Sequence, residues 1–516
     1  MSTKGKQGKW LVDLRRTFMD AEGLELSAKV FWDKFEKKWP FQVGGLEAGS
    51  VPLVAAMILE GRHRGLKVNG FFVRKERKNH GRQHLIEGEI TNDPIVVVDD
   101  LMNAGGTLNK VRVALEDINR KIREVFVIVN YYNVRGQNFL KENNIKIFSI
   151  YRLADFGLER GKTKKIPQSK FKQDWHFQPF ELGHYFVVPK STPALDSQNL
   201  YFGSDAAIFW AVNQKTGKPA WYFQCGKDLK KKGIFSSPAL HRDRVFFGSY
   251  DGNVYCLDTK NGSLIWKFGE GDWVGSSPAL APELGLLFIG IEKGVWGKKG
   301  SVLALDIQTG EKVWEYVVKE LLHGSPAYSK EKGIVAIGTN DATLLLFEAK
   351  TGRKIWEFQA GGPIKYRPTF DLKNNAVLAG SHDGKIYSID LGTGKENWSV
   401  QTEDIIYSTP LIVGNKVYVT SSDKRLYVIN LKTGKVLKEI RAIGNILSSP
   451  REILGKIYFG SNDGAIYEIN PKSNEISGKL YFPERITNAV TYSPKQKLFF
   501  ALANDNRLFA FRKMKS

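Results

Sequence analysis

Apolar positions along this chain follow two different rhythms. Up to about residue 158, short apolar runs alternate with stretches whose apolar residues recur every three or four positions, the pattern of strands alternating with amphipathic helices. Past about residue 174 the helical rhythm gives way to short strands of alternating apolar and polar residues, punctuated by Gly-, Asn- and Asp-rich turns. The first part predicts helix within residues 10–39, with Trp10, Leu11, Leu14 and Phe18, then Val30, Phe31 and Phe35 on the apolar face. It then predicts a short strand after Pro40, a glycine turn at Gly44-Gly45, and a helix from near Ser50 to about Arg64 with Pro52 in its first turn. A strand at Gly70–Arg74 is followed by a polar run to Gly88. Next comes an apolar strand, Pro94–Val98, that stops at Asp99 and Asp100 and enters a glycine-containing loop. A helix to about Lys121, a strand at Val125–Asn130, a helix near Gly136–Asn143 and a strand at Ile145–Ile150 complete the pattern. Such alternation implies a parallel, doubly wound α/β sheet, with ligands at the carboxyl ends of its strands.

The second rhythm is a repeat with a period of about 40–48 residues. One unit reads Ser236-Ser237-Pro238-Ala239-Leu240, then Arg244–Ser249, Gly252–Asp258 and Asn261–Trp266. Similar starts occur at Pro193, Pro278, Pro326, Pro368, Pro410 and Pro450, with a degenerate one at Asn488-Ala489-Val490. Most units carry a Thr-Gly or Asn-Gly turn and a Trp: Trp221, Trp266, Trp314, Trp356 and Trp398. Four short strands per unit describe a propeller blade. The starts predict eight blades, with seven as the alternative. The last unit lacks its Trp strand, and Asp174-Trp175-His176-Phe177 has the sequence of the missing one; pairing it with the C-terminal strand would close the ring and leave no open edge. The expected organisation is an α/β domain over residues 1–158, a basic linker over 159–173 and a propeller over 174–516.

Composition narrows this further. Fifty glycines, 31 Phe and 12 Trp suit a chain dominated by turns and strands. The formal charge of +22 is spread along the chain, +11 over residues 1–190 and +11 over the remainder, and suits an anionic ligand or a polyanionic partner, nucleic acid among them. From Arg160 to Lys172 there are six cations and no acid, the composition of an exposed arm. With only Cys225 and Cys256, a disulfide framework is excluded and a reducing compartment expected. Lys4, Lys6 and Lys9 are not followed by an apolar segment, and no run approaches the roughly 18 apolar residues of a membrane span. These features predict a cytoplasmic protein without a membrane partner.

The chemistry concentrates in the first part. A strand ending in two acids, then a glycine loop and a helix N-terminus, makes an anion site beside two carboxylates that can hold vicinal hydroxyls. A phosphate next to a diol describes a ribose 5-phosphate. The polar run from Arg74 to Gly81 adds cations on a loop able to neutralise a leaving group.

These residues resemble the type I phosphoribosyltransferases, and the orotate phosphoribosyltransferases in particular. Val96-Val97-Val98-Asp99-Asp100-Leu101-Met102-Asn103-Ala104-Gly105-Gly106-Thr107 is similar to the family's loop for phosphoribosyl pyrophosphate (PRPP). Arg74, Lys75, Glu76, Lys78, His80 and Gly81 fill every fixed position of the family's catalytic loop, R-K-E-x-K-x-H-G. Val43 to Gly49, with Gly44, Gly45 and Glu47, resembles its pyrophosphate-binding turn. The resemblance implies Asp99 and Asp100 on the ribose hydroxyls and near Mg²⁺, which PRPP itself would carry, with no metal bound directly by the protein. It implies Asn103, Ala104, Gly105, Gly106 and Thr107 around the 5-phosphate, and Arg74, Lys75, Lys78 and His80 as catalytic groups on pyrophosphate. It also implies a homodimer. On the base side the chain departs from the family: Asn130-Tyr131-Tyr132 replaces an Asp-Arg pair, and Leu26–Asp33 compresses the N-terminal hood. Lys29 and Tyr131 are the residues expected to face the base. The repeats resemble PQQ-type propellers of quinoprotein dehydrogenases and outer-membrane-assembly lipoproteins. A vicinal Cys pair and a calcium-binding acid cluster are missing from the sequence, so no PQQ is expected, and the Trp series reads as packing between blades. The sequence thus predicts Mg²⁺-dependent transfer of phosphoribose from PRPP to orotate or a different nitrogenous base, with the propeller as a protein-interaction platform. The alternative is a non-catalytic PRPP or nucleotide sensor.

Overall fold

A computed structural model describes residues 20–47, 49–74, 86–103, 105–132, 134–152, 155, 171–179, 191–226, 233–294, 299–482 and 484–513. The chain forms two compact units, residues 1–164 and 165–516. Residues 10–19 of the first expected helix, Lys75 to Leu85 of the polar run, Ala104, and Arg160 to Lys170 of the basic stretch lie outside the described residues.

The first unit is a six-stranded sheet clothed by helices on both faces. Its strands are β1 (Gln42–Leu46), β2 (Gly70–Val73), β3 (Ile86–Gly88), β4 (Ile95–Met102), β5 (Ile122–Asn130) and β6 (Lys146–Arg152), in the order β3-β2-β1-β4-β5-β6. All neighbours are parallel except β2–β3. The sheet is therefore mixed rather than wholly parallel: the end of the polar run folds back against β2 as an antiparallel edge.

Alternation along the central strands explains the two faces. Val96 and Val98 of β4 and Phe126 and Ile128 of β5 meet Phe31, Trp32 and Phe35 of α1 (Ala21–Phe35) and Leu53, Val54 and Met57 of α2 (Val51–His63). Ile95 and Val97, with Val125 and Val127, meet Leu108, Val111 and Leu115 of α3 (Gly106–Glu116) and Phe139 and Leu140 of α4 (Val134–Glu142). Asp20 caps α1 by accepting a hydrogen bond from the Gly23 amide at 2.9 Å. Trp32 Nε1 ties α1 to α2 by donating to the Met57 carbonyl at 2.7 Å.

The second unit is an eight-bladed propeller of four-stranded antiparallel sheets. Its inner strands begin at Ala194, Ala239, Ala279, Ala327, Thr369, Leu411, Arg451 and Thr491. Seven blades are contiguous in sequence. The eighth pairs Leu508–Lys513 with β7 (Phe171–Phe177), with Ala510 opposite Trp175. Lys172 thus sits in this strand rather than in a linker.

The repeated Trp and turn Gly form one interlock between neighbouring blades. The Trp314 ring lies where a Cβ on Gly352 would be, 2.6 Å from that position, and its Nε1 donates to the Ala349 carbonyl at 3.0 Å. Trp221 and Gly262, Trp266 and Gly310, Trp356 and Gly394, and Trp398 and Gly434 repeat the contact. Trp175 closes the series against Gly217 and donates to the Gln214 carbonyl at 3.1 Å. Each of these glycines has φ near +70°, a conformation that disfavours a side chain independently of the ring above it.

Candidate active site

The candidate site is built at the carboxyl ends of β1, β4 and β5. β4 does not stop at the acids, as its sequence suggested. It continues through Asp99 and Asp100 to Met102, because its register with β5 persists to Met102 opposite Asn130. The two carboxylates therefore project from a strand held in the sheet, in alternating directions. Asp99 is 5% exposed, and one of its oxygens accepts the Asp100 amide at 3.0 Å. Asp100 is half-buried and accepts the Leu101 amide at 2.8 Å. Burial raises the Asp99 carboxyl well above the usual carboxylate range, and the neighbouring Asp100 charge pushes it in the same direction.

The loop after the acids turns at Gly105, whose φ of +85° selects glycine, and leads directly into α3. Gly105 is the N-cap residue, and no side chain caps the helix. The amides of the first turn, at Gly106 and Thr107, thus present the positive end of an 11-residue helix. The opening of α4 supports this loop from behind. A Cβ on Gly136 would collide with the Asn103 carbonyl, and one on Gly105 would lie 3.1 Å from the Phe139 ring. The sequence reading missed Gly136 and Phe139; a glycine at the start of a helix, one strand along from the motif, was the available signal.

Gly44 and Gly45 lie inside β1, not in a turn. Their missing side chains are used by the protein: a Cβ on Gly44 would strike the Phe71 ring, and one on Gly45 would strike the Ser50 side chain. The turn follows β1, with Glu47, Gly49 and Ser50 in it. Gly49 in it approaches Asp100, whose Oδ1 would be 3.9 Å from a Cβ at that position. Glu47 enters the turn with its amide donating to the Val73 carbonyl at 2.8 Å. At the end of β2, Arg74 forms an ion pair with Glu87 at 2.7 Å, so the two ends of the polar run are tied together. Lys75, Lys78 and His80 lie outside the described residues.

On the base side the expectations divide. Tyr131 follows β5 directly, and its amide donates to the Met102 carbonyl at 2.8 Å, which puts it beside the acid loop. Lys29 is elsewhere. It ion-pairs with Glu25 at 2.5 Å on the exposed face of α1, in the field of Glu60 and Arg64 near the C-terminal end of α2. That is the end of α2 away from the strand carboxyl termini. Arg152, which the sequence reading passed over, ends β6 opposite Asn130, with its guanidinium 5.1 Å from the Tyr132 ring centroid.

These features define a type I phosphoribosyltransferase-like domain joined to a PQQ-type eight-bladed propeller. The first 160 or so residues align with orotate phosphoribosyltransferases: 26% identity over 159 residues to that of Methanococcus maripaludis, and 33% over 158 residues to that of a Bradyrhizobium species. Each alignment spans 30% of this chain and 83% and 84% of the relative, respectively. Residues 171–268, 210–361 and 340–516 match the family described as outer membrane protein assembly factor BamB. The chain therefore belongs to the orotate phosphoribosyltransferase family through its first unit and to the BamB-type propeller family through its second. Among solved structures, BamB from Moraxella catarrhalis superposes with a TM-score of 0.52 at 18% identity, covering 66% of this chain and 97% of that one. A europium-containing methanol dehydrogenase gives 0.54 at 13%, covering 67% and 93%. At these identities the likeness concerns the propeller fold alone.

Proposed function

We propose that the first unit transfers phosphoribose from PRPP to a nitrogenous base and releases pyrophosphate. The observation that carries this reading is the continuity of Asp99 and Asp100 with the glycine turn and uncapped N-terminus of α3. One end of that surface suits two hydroxyls and the other suits a phosphate. In this reading Asp100 and Asp99 accept hydrogen bonds from the ribose 2- and 3-hydroxyls. The amides of Gly105 to Thr107 and the Thr107 hydroxyl hold the 5-phosphate. With the sugar fixed at both ends, its anomeric carbon is presented to the base. The bond from that carbon to the pyrophosphate oxygen breaks as the bond to the base nitrogen forms. Arg74, Lys75, Lys78 and His80 neutralise the charge that develops on the departing pyrophosphate.

Mg²⁺ fits the donor set as a guest of the substrate. Among the described residues no group of three His, Cys, Asp or Glu could hold a metal, whereas the adjacent acids suit a cation that keeps its other ligands from phosphate and water. When bound, it supplies further neutralisation of pyrophosphate. The acceptor is orotate or another base. Family membership supports a homodimer as the working form, and we read the propeller as a protein-binding platform.

The test is to incubate the full chain with PRPP, Mg²⁺ and a panel of purine, pyrimidine and pyridine bases, and to follow pyrophosphate. Release with one base and not the others supports the reading. PRPP binding without release from any base would replace it with that of a PRPP sensor.

A further inference from the structure

The propeller carries its own chemical anomaly. Each inner strand is preceded by two residues that stitch the blades around the axis, and in most blades both are small and hydroxylic: Ser191-Thr192, Ser236-Ser237, Ser276-Ser277, Ser408-Thr409 and Ser448-Ser449. The first of each pair is buried, and its hydroxyl accepts an amide of its own blade, as Ser236 does from Gly248 at 3.1 Å and Ser448 from Gly460 at 3.1 Å. The second links blade to blade: the amides of Thr192, Ser237 and Ser277 donate to the hydroxyls of Ser237, Ser277 and Ser325, each at 2.9 Å. The chain of bonds resumes from Thr409 to Ser449 at 2.9 Å. In the gap stand Tyr366 and Arg367, preceded by Lys365. Two blades further on, Arg451 opens an inner strand where four other blades have alanine.

Lys365, Tyr366, Arg367 and Arg451, with the second residue of each hydroxylic pair, line one cavity of about 1890 Å³ at the propeller axis. The Arg367 guanidinium reaches across the ring to the Ser277 and Pro278 carbonyls, at 3.2 and 2.8 Å. Among the described residues, no carboxylate forms an ion pair with Lys365, Arg367 or Arg451. Glu292, whose charge Lys365 feels, is already engaged by His323 Nδ1 at 2.7 Å. Asp371, also on the cavity wall, is taken up by the Asn374 amide groups, and Glu452 stands beside Arg451 in sequence. Desolvation lowers Arg367 to about 10, with Arg451 adding to it, and lowers Lys365 and Arg451 as well. Lys365 and Arg367 are half-buried and Arg451 is exposed on the cavity wall, so Arg367 and the neighbouring Arg451 present positive charge that an anion can complete. The wall beside it is aromatic. Tyr366 and Tyr407 meet edge to face at 5.8 Å, and His382 lies 4.9 Å from Tyr407 with its Nε2 buried and without a hydrogen-bond partner.

We propose that this axial cavity binds a phosphorylated, ring-bearing small molecule of the nucleotide class, its phosphate on Arg367 and Arg451 and its ring among Tyr366, Tyr407 and His382. Guanidinium pairs suit phosphate geometry, and a flat ring is accommodated by aromatic faces and edges. The site lies wholly within the propeller and does not depend on what the first unit catalyses.

The repeat supplies its own control substitutions. Arg367→Ser and Arg451→Ala install residues that other blades already carry, so both variants should fold. Calorimetric titration of the full chain would use uridine and adenosine 5′-monophosphates, pyrophosphate as a ring-free anion, and a benzene polycarboxylate as a ring without phosphate. The expected result is nucleotide binding that weakens about tenfold or more with each cation removed, while any nucleotide bound by the first unit is retained. The part of pyrophosphate or polycarboxylate binding that these substitutions remove should be weaker than that of the nucleotides. Nucleotide isotherms insensitive to both substitutions, a substitution-sensitive site that takes either control anion as tightly as the nucleotides or more so, or no nucleotide binding at millimolar concentration would each overturn the proposal.

Discussion

The two units store their information differently. In the α/β unit each important position occurs once: one acid pair, one left-handed Gly105, one uncapped helix. Its meaning has to be read from chemistry and geometry together. In the propeller, equivalent positions recur around the ring, so the other blades serve as internal controls for any one. Trp314 on Gly352 looks structural because four further Trp–Gly contacts repeat along the contiguous blades and Trp175 on Gly217 closes the set. Arg367 looks chemical because its counterparts are mostly small and hydroxylic. Repetition thus separates scaffold from function, which a unique fold cannot do by itself.

The strongest way to sharpen this contrast is to cut the interlock. Trp314→Ala removes a nearly buried ring and its bond to Ala349, and should cost the propeller about 3–5 kcal/mol in urea unfolding. Pyrophosphate release should be retained under conditions where the variant stays folded. The next largest effect belongs to the other unit. Replacing Asp99 and Asp100 together by Asn should lower pyrophosphate release about 100-fold or more, without lowering the thermal stability of the propeller. Asp99→Asn alone carries a sign that can be checked. Burial and the Asp100 charge keep the Asp99 proton on in the folded chain at pH values where the unfolded chain has released it. Parent stability therefore falls as pH rises from about 3.9 through the raised value, and the Asn variant should be the more stable at neutral pH, with the difference closing in acid. Equal stability of the two across that range would contradict the buried position of the carboxyl.

A smaller effect is expected at Gly45. Alanine there meets Ser50 and the β4 backbone, and should destabilise the first unit by about 1–3 kcal/mol by chemical unfolding. A loss of PRPP affinity with full stability would instead restore this glycine to the ligand. The smallest effect is at Lys29, exposed and paired with Glu25. Lys29→Ala should leave KM for the base within about twofold of the parent, as expected of a surface ion pair. A large rise would return Lys29 to the acceptor side.

Legibility in the sequence follows the same division. The blade count, the Trp series and the alternation of strands and helices were visible because each rests on periodicity, which burial enforces at many positions at once. Local chain direction was less visible. Asp99 and Asp100 looked like the end of a strand because two acids are poor strand formers, yet pairing with β5 carries β4 through them. Gly44 and Gly45 looked like a turn because glycine favours turns, but here the space is taken by Phe71 and Ser50. The antiparallel β3 was hidden in a charged run, since an edge strand needs little apolar patterning. Lys29 was misplaced because a linear motif does not report which end of a helix faces the ligand. Arg367 stands beside Pro368, where periodicity draws weight to the recurring proline and not to the residue before it.

The closure of the ring also sets a waiting time. Asp174 in β7 and Arg512 in the last strand are ion-paired across 338 residues of sequence. At ordinary translation rates of 5–20 residues per second, β7 is made roughly 17–70 s before its partner exists. Throughout that interval Phe171, Trp175 and Phe177 belong to a strand with a free edge, so the nascent chain must be shielded from pairing with its neighbours for as long as the ribosome takes to finish the circle.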